Sequence, residues 1–413
     1  MLDTGTTRKA VPAIAVMMML ALPILGQDWT DRSEYDLVLA IRAEADPAKK
    51  LLILDQWKDK YPKTKLRKAR WELYLAAYQS LGSLDRMLDV AGEMAADTPP
   101  NLMGLYWFTL LTPGAKEPSP VLMGRAEKAA QQLLTGLGMY FGRDKKPSET
   151  TESDWEQQRS HVECTAHRTL GWVKWQRSEY PAAEQEFTAC LEKNPVNAEL
   201  SAWLGMVLAL QNKPVQALWH LARAANLTGQ GALATARRAE VSDLLEKRYI
   251  SYHGAVDGLK ELESGAVSGT HAFPPAGFQI ESAEALKARK EEEELNLSNP
   301  ELAAWRRIRK RLQAQDGETY FAESVKNSPL PKLKGRLIRY SPATRPKDIV
   351  LSMDNPEAEE VFLRLDAPFT NKANPGIDIV FEGTAVSFTR EPFTLTIAVQ
   401  RQNVEGWPSS PRR

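Results

Sequence analysis

Over most of the chain apolar residues recur at three- and four-residue steps, and near the C-terminal end the pattern changes to strict alternation. From Asp28 to Leu111 the helical step is carried by Tyr35, Leu37, Val38 and Ile41, then Leu51, Leu54 and Trp57, then Trp71, Leu75 and Tyr78. Asp46-Pro47 separates the first two helices, Tyr61-Pro62 closes the second, and a third and fourth break near Gly82 and end before Pro99-Pro100. Residues 112–163 read as a Pro/Gly/Ser loop, a helix from Val121 to Tyr140 and a charged, exposed loop at 142–151.

The next segment repeats itself. Leu170-Gly171 recurs as Leu204-Gly205, Ala183 as Ala217, and Phe187 is answered by Leu221, each pair 34 residues apart. A fixed period of this length marks a helix-turn-helix unit that must stack on neighbours to bury its apolar face. The glycine lets the second helix approach closely, the small Ala183 or Ala217 does so from the other side, and Phe187 or Leu221 fills the space between hairpins. Pro195 ends the second helix because it has no N–H to continue the ladder.

On these residues the segment resembles the tetratricopeptide repeat family. Leu170, Gly171, Ala183, Phe187, Cys190 and Pro195 match its pattern at 164–197, with Lys174 and His167 where tyrosine and tryptophan are usual. Residues 198–231 match with Leu204, Gly205, Ala217, Leu221 and Ala224 and lack the closing proline. Weaker likeness makes 28–111 two degenerate units and 232–264 a terminal hairpin. The resemblance implies an α-solenoid whose first helices line a concave groove. In this register that groove takes Thr165, Arg168, Trp172, Trp175 and Gln176, then Glu199, Ala202, Met206, Ala209 and Leu210. Such a surface suits an apolar or extended peptide anchored by Trp172 or Trp175, and lacks the paired lysine and asparagine of the family's carboxylate-clamp mode. The alternative is that both tryptophans pack under a neighbouring helix.

Residues 265–331 read as a linker with charged helices. One of these carries the stripe Leu302, Trp305, Ile308 and Leu312, which gives it a place to dock, and turns Arg306, Arg307, Arg309, Lys310 and Arg311 to solvent. Alternation at 333–341, 348–354, 359–366, 377–389 and 393–400 predicts a small all-β domain over 332–407, a barrel or sandwich loosely like an OB fold, with Glu382-Gly383 as a barrel corner.

Composition narrows partners and compartment. Lysine plus arginine and aspartate plus glutamate are both 53, so no whole-protein positive field favours nucleic acid. Arg8 and Lys9 followed by the apolar stretch Ala10–Leu25 read as a signal peptide over 1–26, with an uncleaved anchor as the alternative. That stretch is shorter than the roughly 20 residues of a spanning helix, and no later run is as apolar. Export to a periplasm or the medium follows, with no membrane span once the leader is removed. Cys164 and Cys190 are read as packing, Cys190 in the place of a small alanine, with a disulfide as the alternative.

No His-Glu-x-x-His, Gly-x-Ser-x-Gly or phosphate-binding glycine loop occurs. His161 and His167 are spaced to point apart, and Asp354 with Glu357 reads as solvated surface. The sequence therefore predicts a non-catalytic scaffold that holds a protein or peptide, without cofactor or metal. A ligand- or glycan-binding role for the β domain, with the repeats as spacer, is the alternative.

Overall fold

A computed structural model describes residues 29–269 and 271–408; the leader expected at 1–26 lies outside them. The chain divides at Ile280 into two units.

The first unit is a stack of helical hairpins: α1 (Arg32–Ala43) with α2 (Pro47–Lys60), α3 (Arg67–Ser80) with α4 (Leu84–Ala95), α5 (Leu102–Leu111) with α6 (Pro120–Tyr140), α7 (Glu152–Gln176) with α8 (Tyr180–Lys193), α9 (Ala198–Leu210) with α10 (Pro214–Asn226), and α11 (Thr235–His253) followed by α12 (Leu259–Val267). Local chemistry sets the helix starts. The Asp46 carboxylate accepts from the Ala48 N–H at 2.8 Å with Pro47 in the first turn, and Asn197 caps α9 through the Leu200 N–H at 3.0 Å.

The 34-residue period is physical. A Cβ on Gly171 would come within 2.5 Å of the Phe187 ring, so α8 could not lie this close without a shift, and one on Gly205 would press within 3.0 Å of Leu221 and 3.1 Å of the Ala217 carbonyl oxygen of α10. Leu170, Ala183, Phe187, Leu204, Ala217, Leu221 and Ala224 are all buried. The turn repeats as well. Ser178 (φ 62°) and Asn212 (φ 58°) both adopt the left-handed conformation after α7 and α9. Glu179 N–H then donates to Lys174 O at 2.9 Å and Lys213 N–H to Leu208 O at 3.0 Å.

Two predicted boundaries move. The break at 111/112 falls inside the α5–α6 hairpin, and α7 begins at Glu152, well before residue 164. Periodicity marks where a repeat is recognisable, not where a helix starts.

The stack is pinned at both ends by buried polar groups. Near the start, Glu34 is 0 % exposed and accepts from Trp57 Nε1 at 2.8 Å, from Thr30 N–H at 2.8 Å and from the Thr64 hydroxyl. Burial raises its carboxyl pKa, but the donors outweigh that and hold it below the usual glutamate range. Near the other end, buried Arg223 donates to Pro195 O at 2.9 Å and Ala266 O at 2.7 Å, tying the loop after α8 to α12.

Residues 265–280 are not the free linker expected from composition. Trp219 Nε1 donates to Ala272 O at 3.1 Å, Phe278 meets Trp219 at 4.9 Å and Phe273 meets His220 at 5.7 Å. A Pro/Gly-rich stretch reads as linker; its phenylalanines have made it the lining of α10.

The second unit holds α13 (Ala283–Ser298), α14 (Pro300–Gln313), α15 (Gly317–Tyr320), one π turn (Phe321–Val325) and a seven-stranded sheet. The strands are β1 (Leu333–Ser341), β2 (Asp348–Ser352), β3 (Val361–Leu365), β4 (Asp378–Phe381), β5 (Thr384–Thr389), β6 (Thr394–Val399) and β7 (Val404–Glu405), in the order β5-β6-β3-β2-β1-β4-β7. The expected barrel does not close. The predicted fourth strand splits at Glu382-Gly383, and its halves go to opposite sides of the sheet, β4 beside β1 and β5 beside β6. A Cβ on Gly383 would lie 2.4 Å from Ala398 O, so glycine is required at this split. With β3 parallel to β6, β5 and β7 are left as edges.

Helix α14 docks as its stripe predicts, with Trp305 and Leu312 each 0 % exposed in the core formed with the sheet. Most of its arginines are not simply solvated, however: Arg306 pairs with Asp354 at 2.6 Å, Arg309 with Glu360 at 2.7 Å and Arg311 with Asp316. Glu360 is 2 % exposed, and its other oxygen accepts the N–H groups of Met353 (2.8 Å), Asp354 (2.7 Å) and Asn355 (3.2 Å). Replacing Glu360 by alanine leaves these donors unpaired and is expected to cost about 3 kcal/mol. The check is the urea midpoint together with amide exchange in β1–β3; an unchanged midpoint would remove this role from Glu360.

Candidate functional site

The first helices of successive hairpins, α5, α7, α9 and α11, bring a continuous series of polar and aromatic groups together. The Tyr106 hydroxyl on α5 and His161 Nε2 on α7 share a hydrogen bond of 2.9 Å. Burial pushes the Tyr106 phenol up to about 12 and pulls the His161 imidazole below its usual value, with Arg168 adding to the latter, so both are neutral near pH 7. Two turns along α7 from His161, Arg168 donates to Leu110 O at 3.4 Å and lies over the Trp203 ring of α9 at 5.1 Å. Trp203 Nε1 donates to Glu199 at 2.8 Å, and Arg237 of α11 lies 3.8 Å from that carboxylate. Trp175 stands 6.2 Å from Trp203.

Amphipathic periodicity explains the placement. Arg168 and Trp175 lie two turns apart on one side of α7, and Glu199 and Trp203 are an i, i+4 pair on α9. On α9 the opposite side buries Leu204 and sets Gly205 against Ala217 and Leu221 of α10, whereas on α7 Gly171 lies between Arg168 and Trp175 in register and meets Phe187 of α8.

Of the residues predicted to line a groove, the structure keeps some and removes others. Trp175, Arg168 and Met206 are half-buried, and Gln176 and Leu210 are exposed, Leu210 at 53 %. Trp172 is only 4 % exposed and sits in the core of the α7–α10 hairpins, as do Thr165 and Ala202 in the unit's interior. The expectation that Trp172 anchors a partner is therefore corrected: on a helix packed from two sides its position points inward. Trp203 was missed, though its i, i+4 spacing from Glu199 was visible.

The cysteine expectation is also corrected. Cys164 of α7 and Cys190 of α8 form a disulfide, with their Cα atoms 4.2 Å apart and both residues buried. Cys190 does pack in the seam, at 0 % exposure, and it is bonded as well. His167 joins Glu186 at 2.7 Å while His161 joins Tyr106, so the two histidines serve different helices. Asp354 is held by Arg306 rather than facing Glu357 as an acid–base pair.

Among the described residues no group of three His, Cys, Asp or Glu side chains is arranged to hold a metal ion, and no helix is long and apolar enough to cross a membrane. No protein-family model matches the chain. No curated protein sequence matches it significantly.

Proposed function

We propose that this chain is an exported, non-catalytic adaptor of the tetratricopeptide type, which holds a protein or peptide segment on the face formed by its first helices. The observation that carries this reading is the half-buried pair Trp175 and Trp203, backed by the Arg168 guanidinium and flanked by exposed Gln176 and Leu210. Aromatic side chains held rigidly at the edge of a core, with a cation behind them, are what dominates binding energy at protein interfaces.

Both departures from the repeat pattern have local compensation, which supports the family reading. Lys174, in place of tyrosine, reaches Glu127 at 3.2 Å and Glu179 at 3.1 Å. His167, in place of tryptophan, is taken up by Glu186 of the same hairpin. Export is supported by the disulfide, since structural disulfides persist in oxidising compartments.

The test is a crosslinked capture of partners from the native envelope fraction, comparing the wild type with Trp203→Ala and Trp175→Ala after confirming an unchanged fold. Truncating a central aromatic anchor is expected to lower recovery of a specific partner at least about tenfold. Equal recoveries would sink the assignment of this face. Trp172→Ala is unsuitable here, because a core truncation destabilises the hairpin and lowers binding for a trivial reason.

A further inference from the structure

The second unit carries a cavity of about 300 Å³ between α14, the π turn and the loop that leads to β1, with Arg307, Tyr320, Ser324 and Ser328 among its lining. The rest of the wall is aliphatic and includes Ile308 and Leu330. No carboxylate or histidine lines it.

Arg307 is the arginine of α14 that the fold does not use. Arg306, Arg309 and Arg311 are each matched to Asp354, Glu360 and Asp316, and Arg311 also lies 4.5 Å over the Tyr320 ring, fixing that ring at the cavity. Among the described residues no carboxylate pairs with Arg307, and no partner engages the hydroxyls of Tyr320, Ser324 or Ser328. A free planar guanidinium accepts a carboxylate through two parallel N–H donors, and neighbouring hydroxyls donate to the same oxygens. A phosphate dianion would leave charge unmatched by this single cation. The aliphatic wall takes an apolar tail, and the volume lies at the lower end of ligand pockets.

We propose that this cavity binds a short aliphatic carboxylate, either free or at the end of a peptide chain, with Arg307 pairing the carboxylate and Ile308 and Leu330 receiving the tail. It is independent of the first-helix face and goes beyond the adaptor reading.

The experiment uses the full chain and two probes, hexanoate and N-acetyl-leucine, each compared with its primary amide and followed by NMR line shifts of the Ile308 and Leu330 methyl groups. For ligands of this size the expected dissociation constant is on the order of a millimolar. Saturable binding of either acid, at least tenfold weaker for its amide and lost in Arg307→Gln, supports the proposal, and the tighter acid identifies the source. Ser324→Leu, which fills an exposed edge of the cavity without touching the core, is expected to block binding equally. Equal binding of acid and amide, no saturation by either acid, or binding that survives Arg307→Gln overturns it.

Discussion

Acidification from pH 6.5 to 4 is expected to remove on the order of 3 kcal/mol from the stability of the first unit through one side chain, His220. This residue is 2 % exposed on α10, packs on Phe273, and has Arg223 as its charged neighbour. Burial, with the nearby Arg223 charge, lowers its pKa from 6.5 to about 3. The sign follows from which state binds the proton. Below pH 6.5 the unfolded chain protonates this imidazole while the folded chain does not, so stability is complete above 6.5 and falls steadily until the folded value is reached. Among the described residues His220 Nδ1 has no hydrogen-bond partner, so losing that atom's polarity forfeits no bond. His220→Leu should accordingly be close to neutral at pH 7 and flatten the acid slope, leaving the smaller share of His161. Glu34 acts in the same direction but only below its ordinary range, because its folded value is lowered. Urea unfolding at half-unit pH steps, with amide exchange in α10, measures the slope. Equal slopes for wild type and variant would rule out this role for His220.

Removing the Cys164–Cys190 bridge is expected to cost about 3–4 kcal/mol. The cysteines are 26 residues apart in sequence, and closing a loop of that length withdraws roughly this much entropy from the unfolded chain. For a unit of this size that corresponds to a fall of about 10 °C in melting temperature. The bridge ties α7 to α8, the hairpin on which Arg168, Trp175 and the Gly171–Phe187 contact depend, so its loss should loosen the candidate face first. Melting curves with and without reductant, and of the Cys164→Ala/Cys190→Ala double variant, test this. If reductant leaves the melting temperature in place while thiol labelling confirms reduction, the bridge is not a principal support of the hairpin.

Sequence reasoning places side chains on a helix by register alone, and its failures at the candidate face share one cause. Repeat register assigns Arg168, Trp172, Trp175, Gln176, Met206 and Leu210 to a groove, and of these Arg168, Trp175 and Met206 are half-buried, Gln176 and Leu210 exposed and Trp172 buried. It could not distinguish Trp172 from Trp175, because both lie on the first-helix side and the difference rests on which neighbouring side chains close over them. Trp203 escaped because the register skipped it, and its importance comes from Arg168 and Trp175 on another helix.

By itself the sequence determined the helical hairpins, their 34-residue spacing, the close helix approach at Gly171 and Gly205, and the docking stripe of α14. Each of these depends on local periodicity or on the size of one residue against one neighbour. Only the tertiary structure decided the open sheet, the burial of Trp172, the bond between Cys164 and Cys190, and the arginine of α14 that no carboxylate pairs with among the described residues. Those outcomes are set by residues far apart in the chain that meet only when the hairpins stack and the strands choose their order, and no local pattern records such meetings.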